Sequence, residues 1–286
     1  MIPRANITAW RTASPWPDNT QVEQDLILSR ALVTMYQHPV VADQAVFRGG
    51  TALHKLFFDP AGRYSEDIDL VQREAGPIGG LIDAIREVLD PWLGKPKWKQ
   101  GKGRFALNYR FETTFVPVVN MRLKVELNTR EHFNVLGLER RGYSVTNPWF
   151  SGESEISTYR LAELLGTKMR ALYQRKKGRD LFDLWLALTE HEVEPDRIVR
   201  CFTEYMIFGE AAATRAQFEE SMAGKMEDAL FLDDTYPLLR PGLDYDVKAA
   251  WNLVHESLVN RLPGDPWKGS AALIENGGKR GTMALR

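Results

Sequence analysis

A short apolar run that ends at two adjacent glycines restricts the possible folds of this chain more than any other feature. Residues 45–47 have the length and composition of a buried strand, and Gly49 and Gly50 follow after one arginine. Residues 51–58 then place their apolar side chains at helical spacing. A strand that passes through glycines into a helix presents backbone N–H groups at the positive end of the helix dipole. We therefore predict a strand–turn–helix unit that can bind a phosphate.

The tripeptide Gly49-Gly50-Thr51 would form the phosphate-contacting part of this unit. Glycine lets a phosphate reach the backbone, which a side chain would prevent. The Thr51 hydroxyl can cap the helix or donate a hydrogen bond to a phosphate oxygen. An ordinary helix N-terminus has the same composition, so a second feature is needed before the tripeptide indicates a binding site.

Two aspartates, Asp67 and Asp69, supply that second feature at the start of the next predicted strand, residues 68–71. Alternate residues of a strand point to the same face, so the two carboxylates should lie side by side. Like charges held together repel, and burying them uncompensated is costly. A hard divalent cation such as Mg²⁺ or Mn²⁺ removes the conflict, because it binds carboxylate and phosphate oxygens. We predict that Asp67 and Asp69 are metal ligands.

Ser65 should share this side of the chain, since it lies two residues before Asp67 on an extended approach. We therefore place Ser65 beside the predicted nucleotide pocket, although a turn serine bonded to the local backbone is the simpler alternative. A phosphate group added to Ser65 would bring bulk and about −1.5 to −2 charge next to the two aspartates. We expect that modification to silence the site.

A third carboxylate, Glu126, lies in a later predicted strand, residues 116–128. Three apolar residues alternate there with three charged ones, which places the charged residues on one face: Arg122, Lys124 and Glu126. Glu126 is the natural third ligand of a two-metal site. A surface glutamate in a salt bridge is the alternative.

One predicted helix in the second half of the chain carries a lysine within its apolar face. In a predicted helix over residues 158–175, Lys168 shares a face with three leucines. Such a lysine must snorkel to solvent, find a partner, or reach a bound phosphate. Asp180 and Asp183 lie one turn apart on the next predicted helix and could hold Lys168, Arg179 or a ribose hydroxyl.

Composition narrows the class of protein. The 286 residues carry a net charge of −1, so no overall electrostatic attraction to nucleic acid or membranes is expected, although basic runs occur at 95–104 and 168–179. The single cysteine, Cys201, allows no intramolecular disulfide and reads as a buried apolar residue. No apolar stretch is long enough to span a bilayer, so we expect a soluble cytoplasmic protein that makes no membrane contact.

Two halves of different character follow one another along the chain. Residues 1–150 mix predicted helices, including 20–36 with Thr20 as cap and 78–88, with predicted strands, including 105–111. Residues 151–286 read as helices at 158–175, 179–190, 196–208, 213–222 and 247–262, and end in a loosely held tail after about residue 263. We expect an α+β domain followed by an all-α lobe.

The motifs resemble those of the AbiEii family, which includes the MenT toxins. Phe-Arg-Gly-Gly-Thr-Ala-Leu at 47–53 and Ser-Glu-Asp-Ile-Asp-Leu at 65–70 are the most specific matches. The helix segment at 22–28, Lys-Val-Glu-Leu at 124–127, Lys-Met-Arg-Ala-Leu at 168–172 and Arg-Asp-Leu-Phe-Asp-Leu at 179–184 are also similar to family motifs. The resemblance covers residues 8–190.

This resemblance implies a polymerase-β-like nucleotidyltransferase core, a mixed sheet with flanking helices, followed by a helical lobe. It implies Mg²⁺-dependent transfer of a nucleoside monophosphate from an NTP, as in toxins that modify the 3′ acceptor end of tRNA and stop translation and growth. The implied partners are the NTP, a tRNA and an antitoxin encoded nearby, which need not bind directly. By position, Asp67 and Asp69 are metal ligands, Glu126 is the third acid and Lys168 contacts nucleotide phosphate. Either Asp180 or Asp183 is the essential acid of the last motif.

The expected mechanism is in-line attack of a terminal RNA 3′-hydroxyl on the α-phosphate, with the two basic runs holding the RNA backbone. Pyrophosphate would leave stabilised by metal, backbone N–H groups and Lys168. One alternative keeps this chemistry and changes the acceptor to a hydroxyl of a protein or a small molecule. Another is a non-catalytic module that binds a nucleotide or a partner. The second is weakened because every acid that the chemistry needs is present.

Overall fold

The computed structural model of the chain describes residues 2–269. The chain forms two compact units. Of the described residues, the first unit contains 2–164 and 236–244, and the second contains 165–235 and 245–269. The division expected near residue 150 thus lies at Leu164 instead. The reason is that the last two strands of the first unit's sheet extend to residue 159.

The first unit alternates helices with strands. Its helices are α1 (Arg4–Trp10), α2 (Asn19–Gln37), α3 (Pro39–Gln44), α4 (Gly49–Leu56) and α5 (Gly79–Leu93). Its strands are β1 (Ala45–Arg48), β2 (Asp67–Gln72), β3 (Lys97–Gly101), β4 (Arg104–Glu112), β5 (Asn120–Asn128), β6 (Leu138–Asn147) and β7 (Phe150–Tyr159). The expected α+β class is confirmed.

One mixed sheet joins the seven strands found in residues 2–269, in the order β3-β4-β5-β2-β1-β7-β6. Strand β2 runs parallel to β5 and antiparallel to β1, and β1 meets β7 in parallel. The remaining neighbours are antiparallel hairpins. The centre of the sheet is therefore β5-β2-β1, which brings the Gly-Gly turn and both predicted acidic strands together.

Three strands were not expected. The side chains of β3 are exposed throughout, and β6 and β7 alternate charged or small exposed residues with few buried ones. Such sequences lack a clear apolar period, and only pairing with neighbouring strands defines them as sheet. The all-α character expected from residue 151 is therefore wrong up to Tyr159. The strand expected to begin at 116 begins at Asn120, since residues 113–119 form the hairpin loop.

Helix α2 forms the centre of the first unit's helical layer and is buried along most of its length. The predicted helix over 20–36 is confirmed, but its cap is Asp18, whose carboxylate accepts a hydrogen bond from the Thr20 N–H at 2.8 Å. Thr20 is therefore inside the first turn and does not cap the helix.

A buried acid on α2 holds the helix that follows the Gly-Gly turn. Both Asp25 oxygens lie 2.7 Å from the Lys55 Nζ of α4, and the indole N–H groups of Trp10 and Trp16 also donate to Asp25. Burial would raise the pKa of Asp25, but Lys55 and the hydrogen bonds from Ser14 and Trp10 hold it below its usual value. The ion pair fixes α4, and with it the Gly-Gly turn, against the core.

The strand segment that precedes β2 is held by a part of the chain far away in sequence. The Tyr64 N–H donates to the Leu238 carbonyl at 2.8 Å, and the Arg240 N–H donates to the Gly62 carbonyl at 3.0 Å. Between them, Arg63 and Leu239 form an antiparallel bridge. Residues 236–244 therefore act as a return strap, which supports the approach to β2.

Helices make up the second unit. They are the continuation of α6 (Leu161–Gln174), which begins in the first unit, and α7 (Gly178–Glu190), α8 (Pro195–Phe208), α9 (Arg215–Met226), α10 (Ala229–Asp233) and α11 (Val247–Ser257). The expected helices are confirmed, except that α6 begins later because β7 precedes it and α11 ends earlier in a short 3₁₀ turn. Cys201 is buried as predicted.

The C-terminal tail is described only as far as residue 269. In that part, the Trp267 backbone N–H donates to the Glu219 carboxylate at 2.7 Å. The rest of the predicted tail lies outside the described residues. Over residues 2–269, no helix combines the length and apolarity needed to cross a bilayer.

Candidate active site

The register between β2 and β5 brings the predicted acids together. Asp67 lies beside Lys124 and Asp69 lies beside Glu126 in the parallel pairing. Because residues two apart on a strand share a face, Asp67, Asp69 and Glu126 all point to the same side of the sheet. The predicted convergence of the three carboxylates on one face therefore matches the register, and their role as metal ligands stays a prediction.

The electrostatics of the two aspartates indicate a site that favours added positive charge. Burial raises the pKa of Asp69, and the neighbouring Asp67 carboxylate raises it further. Burial also raises the pKa of Asp67, while the Lys124 ammonium opposes that shift. Each carboxylate is thus less easily ionised than in water, and a bound cation would stabilise the ionised pair.

Lys124 already supplies one cation to this face. Its Nζ lies 2.7 Å from Glu126 Oε2 and 3.7 Å from Asp67 Oδ2. Burial lowers the pKa of Lys124, but the hydrogen bond to Glu126 and the nearby aspartates leave it raised overall, so the ammonium is charged. The alternation in the sequence placed Lys124 on this face, but only the strand register reveals that it bridges two acids.

The donor chemistry fits a hard divalent cation. All three side chains offer carboxylate oxygens, the ligand type that Mg²⁺ prefers, and they come from adjacent strands. In the described part of the chain, however, no three His, Cys, Asp or Glu side chains are already arranged around one point. Instead, the Lys124 ammonium contacts Glu126 and lies near Asp67.

Gly49 is required for a reason other than the one expected. Its φ of 85° lies in the left-handed region, and a Cβ built at this position would lie 2.5 Å from Asp69 Oδ2. The glycine thus makes room for the Asp69 carboxylate. The expected role of Gly49 and Gly50 in phosphate binding stays a prediction.

We expect Gly49→Ala to displace Asp69 and to lower both stability and activity. The positive φ alone costs an L-residue roughly 1–2 kcal/mol, and the clash with Asp69 adds to that cost. Thermal unfolding and the rate of nucleotide transfer would measure the two effects. Gly79→Ala at the start of α5 is the matched control, because a Cβ there meets nothing within 4 Å. Unchanged unfolding and transfer in Gly49→Ala would contradict the assignment.

Thr51 connects helix α4 to the start of β2. Its hydroxyl donates to the Asp67 carbonyl and lies 2.8 Å from the Ser65 Oγ. The helix begins at Gly49, so Thr51 is in its first turn and is not the N-cap. Ser65 thus lies beside the predicted phosphate-binding turn, as the sequence indicated. The predicted effect of a phosphate on Ser65 is untested.

Arg48 is a part of the site that the sequence did not reveal. It lies opposite Asp69 in the β1–β2 register, and its guanidinium forms an ion pair with Glu131. The positive charge of Arg48 lowers the pKa of Asp69, against the effect of burial. Glu131 is in a loop distant in sequence, so only the folded chain shows that this pair flanks the acids.

A cleft of about 330 Å³ extends from Glu126, one of the three acids, across β5, β4 and β3. Its lining is mainly basic and polar and consists of Lys99, Gly101, Arg104, Ala106, Asn108, Arg122, Lys124 and Glu126. The first basic run, 95–104, contributes Lys99 and Arg104 to this lining. The lining therefore combines several cationic side chains with one carboxylate, that of Glu126.

The second basic run, by contrast, is largely neutralised within the second unit. Lys176 pairs with Asp228, and both Lys177 and Arg179 pair with Asp234, at 3.1 to 3.4 Å. Charges that are already paired attract a phosphate backbone less strongly. The expectation that residues 168–179 hold RNA is therefore weakened by the structure.

Lys168 has found its partners in the second unit. Its Nζ lies 3.0 Å from Asp180 Oδ1 and 2.9 Å from Asp183 Oδ2, and all three side chains are buried. Burial would raise the pKa of Asp180, but Lys168 and Arg175 hold it below its usual value. Of the alternatives left open by the sequence, the structure shows that Lys168 is held by both aspartates. A contact between Lys168 and nucleotide phosphate stays a prediction, as does the choice between Asp180 and Asp183.

Comparisons with known proteins identify the family and support the fold. The family described as nucleotidyl transferase AbiEii toxin, type IV TA system, matches residues 30–253. Among solved structures, the nucleotidyltransferase toxin MenT4 (Rv2826c) of Mycobacterium tuberculosis H37Rv matches with a TM-score of 0.64 at 17% identity, over 93% of this chain and 92% of its own. A putative nucleotidyltransferase from H. pylori matches with a TM-score of 0.51 at 17% identity, over 86% of this chain and 100% of its own.

A search of the curated proteins finds no significant match. The structural matches support the fold, and the family match covers well over half of the sequence. The chain therefore belongs to the AbiEii nucleotidyltransferase toxins of type IV toxin–antitoxin systems.

Proposed function

We propose that the protein transfers a nucleoside monophosphate from an NTP to the 3′ acceptor end of a tRNA, and thereby stops translation and growth. The observation that carries the proposal is the β2–β5 register, which aligns Asp67, Asp69 and Glu126 on one face. Helix α4 begins beside this face, where Gly49 approaches Asp69 closely. Carboxylates next to a helix N-terminus suit a nucleotide triphosphate with its divalent cation.

In this proposal Asp67, Asp69 and Glu126 are the residues that hold Mg²⁺ or Mn²⁺. When bound, such an ion would stabilise charge at the phosphate and acidify the attacking hydroxyl. Thr51 and Ser65 line the start of α4, and the backbone N–H groups at that start bind phosphate oxygens. Arg48 limits the repulsion between Asp69 and its acidic neighbours.

An RNA acceptor is supported by the basic cleft next to the acids. Lys99, Arg104 and Arg122 line it together with Lys124 and Glu126. Cations in a row bind successive phosphates of a polynucleotide, whereas a neutral small molecule would not need them. The choice of tRNA over other RNA follows from the family resemblance.

The purified protein should label tRNA with one of the four α-³²P nucleotides in the presence of Mg²⁺ or Mn²⁺, and not in EDTA. Total tRNA and total cell protein are offered side by side as acceptors, and sequencing of tRNA 3′ ends identifies the added nucleotide. Label on protein would favour the alternative acceptor. Binding of nucleotide without any transfer would favour a non-catalytic module.

Toxicity and its control form the second part of the proposal. Expression of the chain in bacteria should stop growth, and co-expression of the antitoxin encoded beside its gene should restore growth. The antitoxin need not bind the toxin, so failure to co-purify would not contradict the proposal. Unaffected growth at high expression would contradict it.

A further inference from the structure

We propose that Lys124 is a built-in competitor of the divalent cation, which must leave Glu126 and Asp67 before all three carboxylates can bind the ion. The inference rests on the proposed function, since it concerns the same carboxylate face. Lys124 is here a positioning residue, because it acts through the carboxylates that would bind the ion. The consequence is that the protein binds the ion weakly by itself and more strongly once a nucleotide attracts the ammonium away.

The first argument is geometric. Lys124 occupies the residue position beside Asp67 in the parallel register and precedes Glu126 by two residues on the same strand face. Its ammonium is 2.7 Å from one acid and 3.7 Å from the other. A cation that used Glu126 and Asp67 together would need the space that this ammonium takes.

The second argument is the surrounding space. Lys124 and Glu126 both line the cleft of about 330 Å³, and the Lys124 side chain is partly exposed toward it. A long, flexible lysine side chain can therefore turn into the cleft without disturbing the sheet. There it would join Lys99, Arg104 and Arg122, where a triphosphate or an RNA phosphate would accept its charge.

The third argument is electrostatic. The three acids on the face outnumber its two cations, Arg122 and Lys124, and leave an excess of negative charge that a divalent ion could neutralise. Lys124 already satisfies part of the charge of Glu126 and Asp67. Removing Lys124 should therefore tighten binding of the ion and should also remove a phosphate contact. Opposite effects on ion affinity and on transfer distinguish this role from a merely structural one.

The experiment measures Mn²⁺ binding to the full chain without nucleotide, by electron paramagnetic resonance at fixed pH and ionic strength. We expect Lys124→Met to bind Mn²⁺ on the order of 10-fold more tightly than the unaltered protein, a size typical of residues that contact metal ligands. The same variant should transfer nucleotide more slowly. Lys124→Gln serves as the second variant if the methionine form does not fold.

Lys99→Met is the matched control, because it removes the same charge from the same cleft at a residue that does not bridge the acids. Its Mn²⁺ affinity should stay within about twofold of the unaltered protein, since Lys99 lies two strands from Glu126 in the sheet and exposed charges are screened by salt. Asp69→Asn should weaken Mn²⁺ binding, which locates the ion at the carboxylates.

The outcomes separate this inference from the proposed function. Mn²⁺ binding to the unaltered protein with equal or weaker binding to Lys124→Met overturns the competitor role and leaves the proposed function standing. An equal gain in Lys99→Met and Lys124→Met also overturns it, because general charge would then explain the result. Failure of every form to bind Mn²⁺, with or without NTP, overturns the metal-dependent function and this inference with it.

Discussion

Asp69→Asn is expected to abolish nucleotide transfer, by a factor on the order of 10³ or more, while the fold persists. Asp69 is the acid at the centre of the face, with Asp67 two residues before it, Glu126 beside it and Gly49 shaped around its carboxylate. Asparagine keeps the size of the side chain and removes the charge that would bind a divalent ion. Single-turnover transfer of a labelled nucleotide would measure the loss.

The Asp69→Asn substitution should lower activity but should not lower thermal stability. The pKa of Asp69 is raised in the folded protein by burial and by Asp67, which means that folding disfavours its charged form at neutral pH. A neutral residue relieves this repulsion, so Asp69→Asn should unfold at an equal or higher temperature. Asp83→Asn, an exposed acid on α5, is the control and should leave transfer unchanged. Substantial transfer by Asp69→Asn would sink the proposed mechanism.

The Lys168→Met substitution is expected to lower the free energy of unfolding of the second unit by about 3–5 kcal/mol. The sequence alone favours the opposite result, because methionine suits the apolar stripe of the helix. In the structure, however, Lys168 contacts two fully buried carboxylates, and its removal leaves buried negative charge that is no longer fully compensated. Urea denaturation followed by circular dichroism would measure the change.

A matched control variant separates the loss of a buried ion pair from the loss of a surface ion pair. Lys176→Met removes a lysine whose ion pair with Asp228 is at the surface, where such pairs contribute roughly 0–1 kcal/mol. The triple change Lys168→Met, Asp180→Asn, Asp183→Asn should recover part of the lost stability, since no uncompensated buried carboxylate remains and Arg175, which loses its ion pair with Asp180, is largely exposed. Equal stability of Lys168→Met and the unaltered protein would contradict the buried network. A loss of transfer in Lys168→Met is therefore evidence for a contact between Lys168 and nucleotide phosphate only when the variant is folded.

The sequence predicted the parts of the site that depend on local geometry. Strand parity places Asp67 and Asp69 on one face whatever their neighbours are, and the Gly-Gly turn into a helix needs no tertiary contact. The period-two pattern likewise placed Lys124 and Glu126 on a common face. These expectations agree with the structure because they follow from the dihedral geometry of single elements.

The remaining parts depend on contacts that a single sequence does not encode locally. The distance from Lys124 to Asp67 requires the β2–β5 register, and the Arg48–Glu131 pair joins a strand to a distant loop. Strands β6 and β7 were missed because their exposed faces carry charged and small residues. Their hydrogen bonds come from each other and from β1, which periodicity cannot show.

The return strap at residues 236–244 has a consequence for how the protein is made. Residues 62–64, which lead into the acidic strand, form backbone hydrogen bonds with Leu238 and Arg240. A growing chain on the ribosome therefore lacks this support until residues 236–244 have been synthesised, long after the acidic strand.

A polypeptide stopped before that point would carry every acid of the site but not the strap that orders their approach. The approach to the acids should therefore become ordered only after the strap has been made. Interrupted synthesis should yield fragments that are harmless. Such an order of synthesis would give a toxin of this family a safeguard that lies in the order of its own sequence.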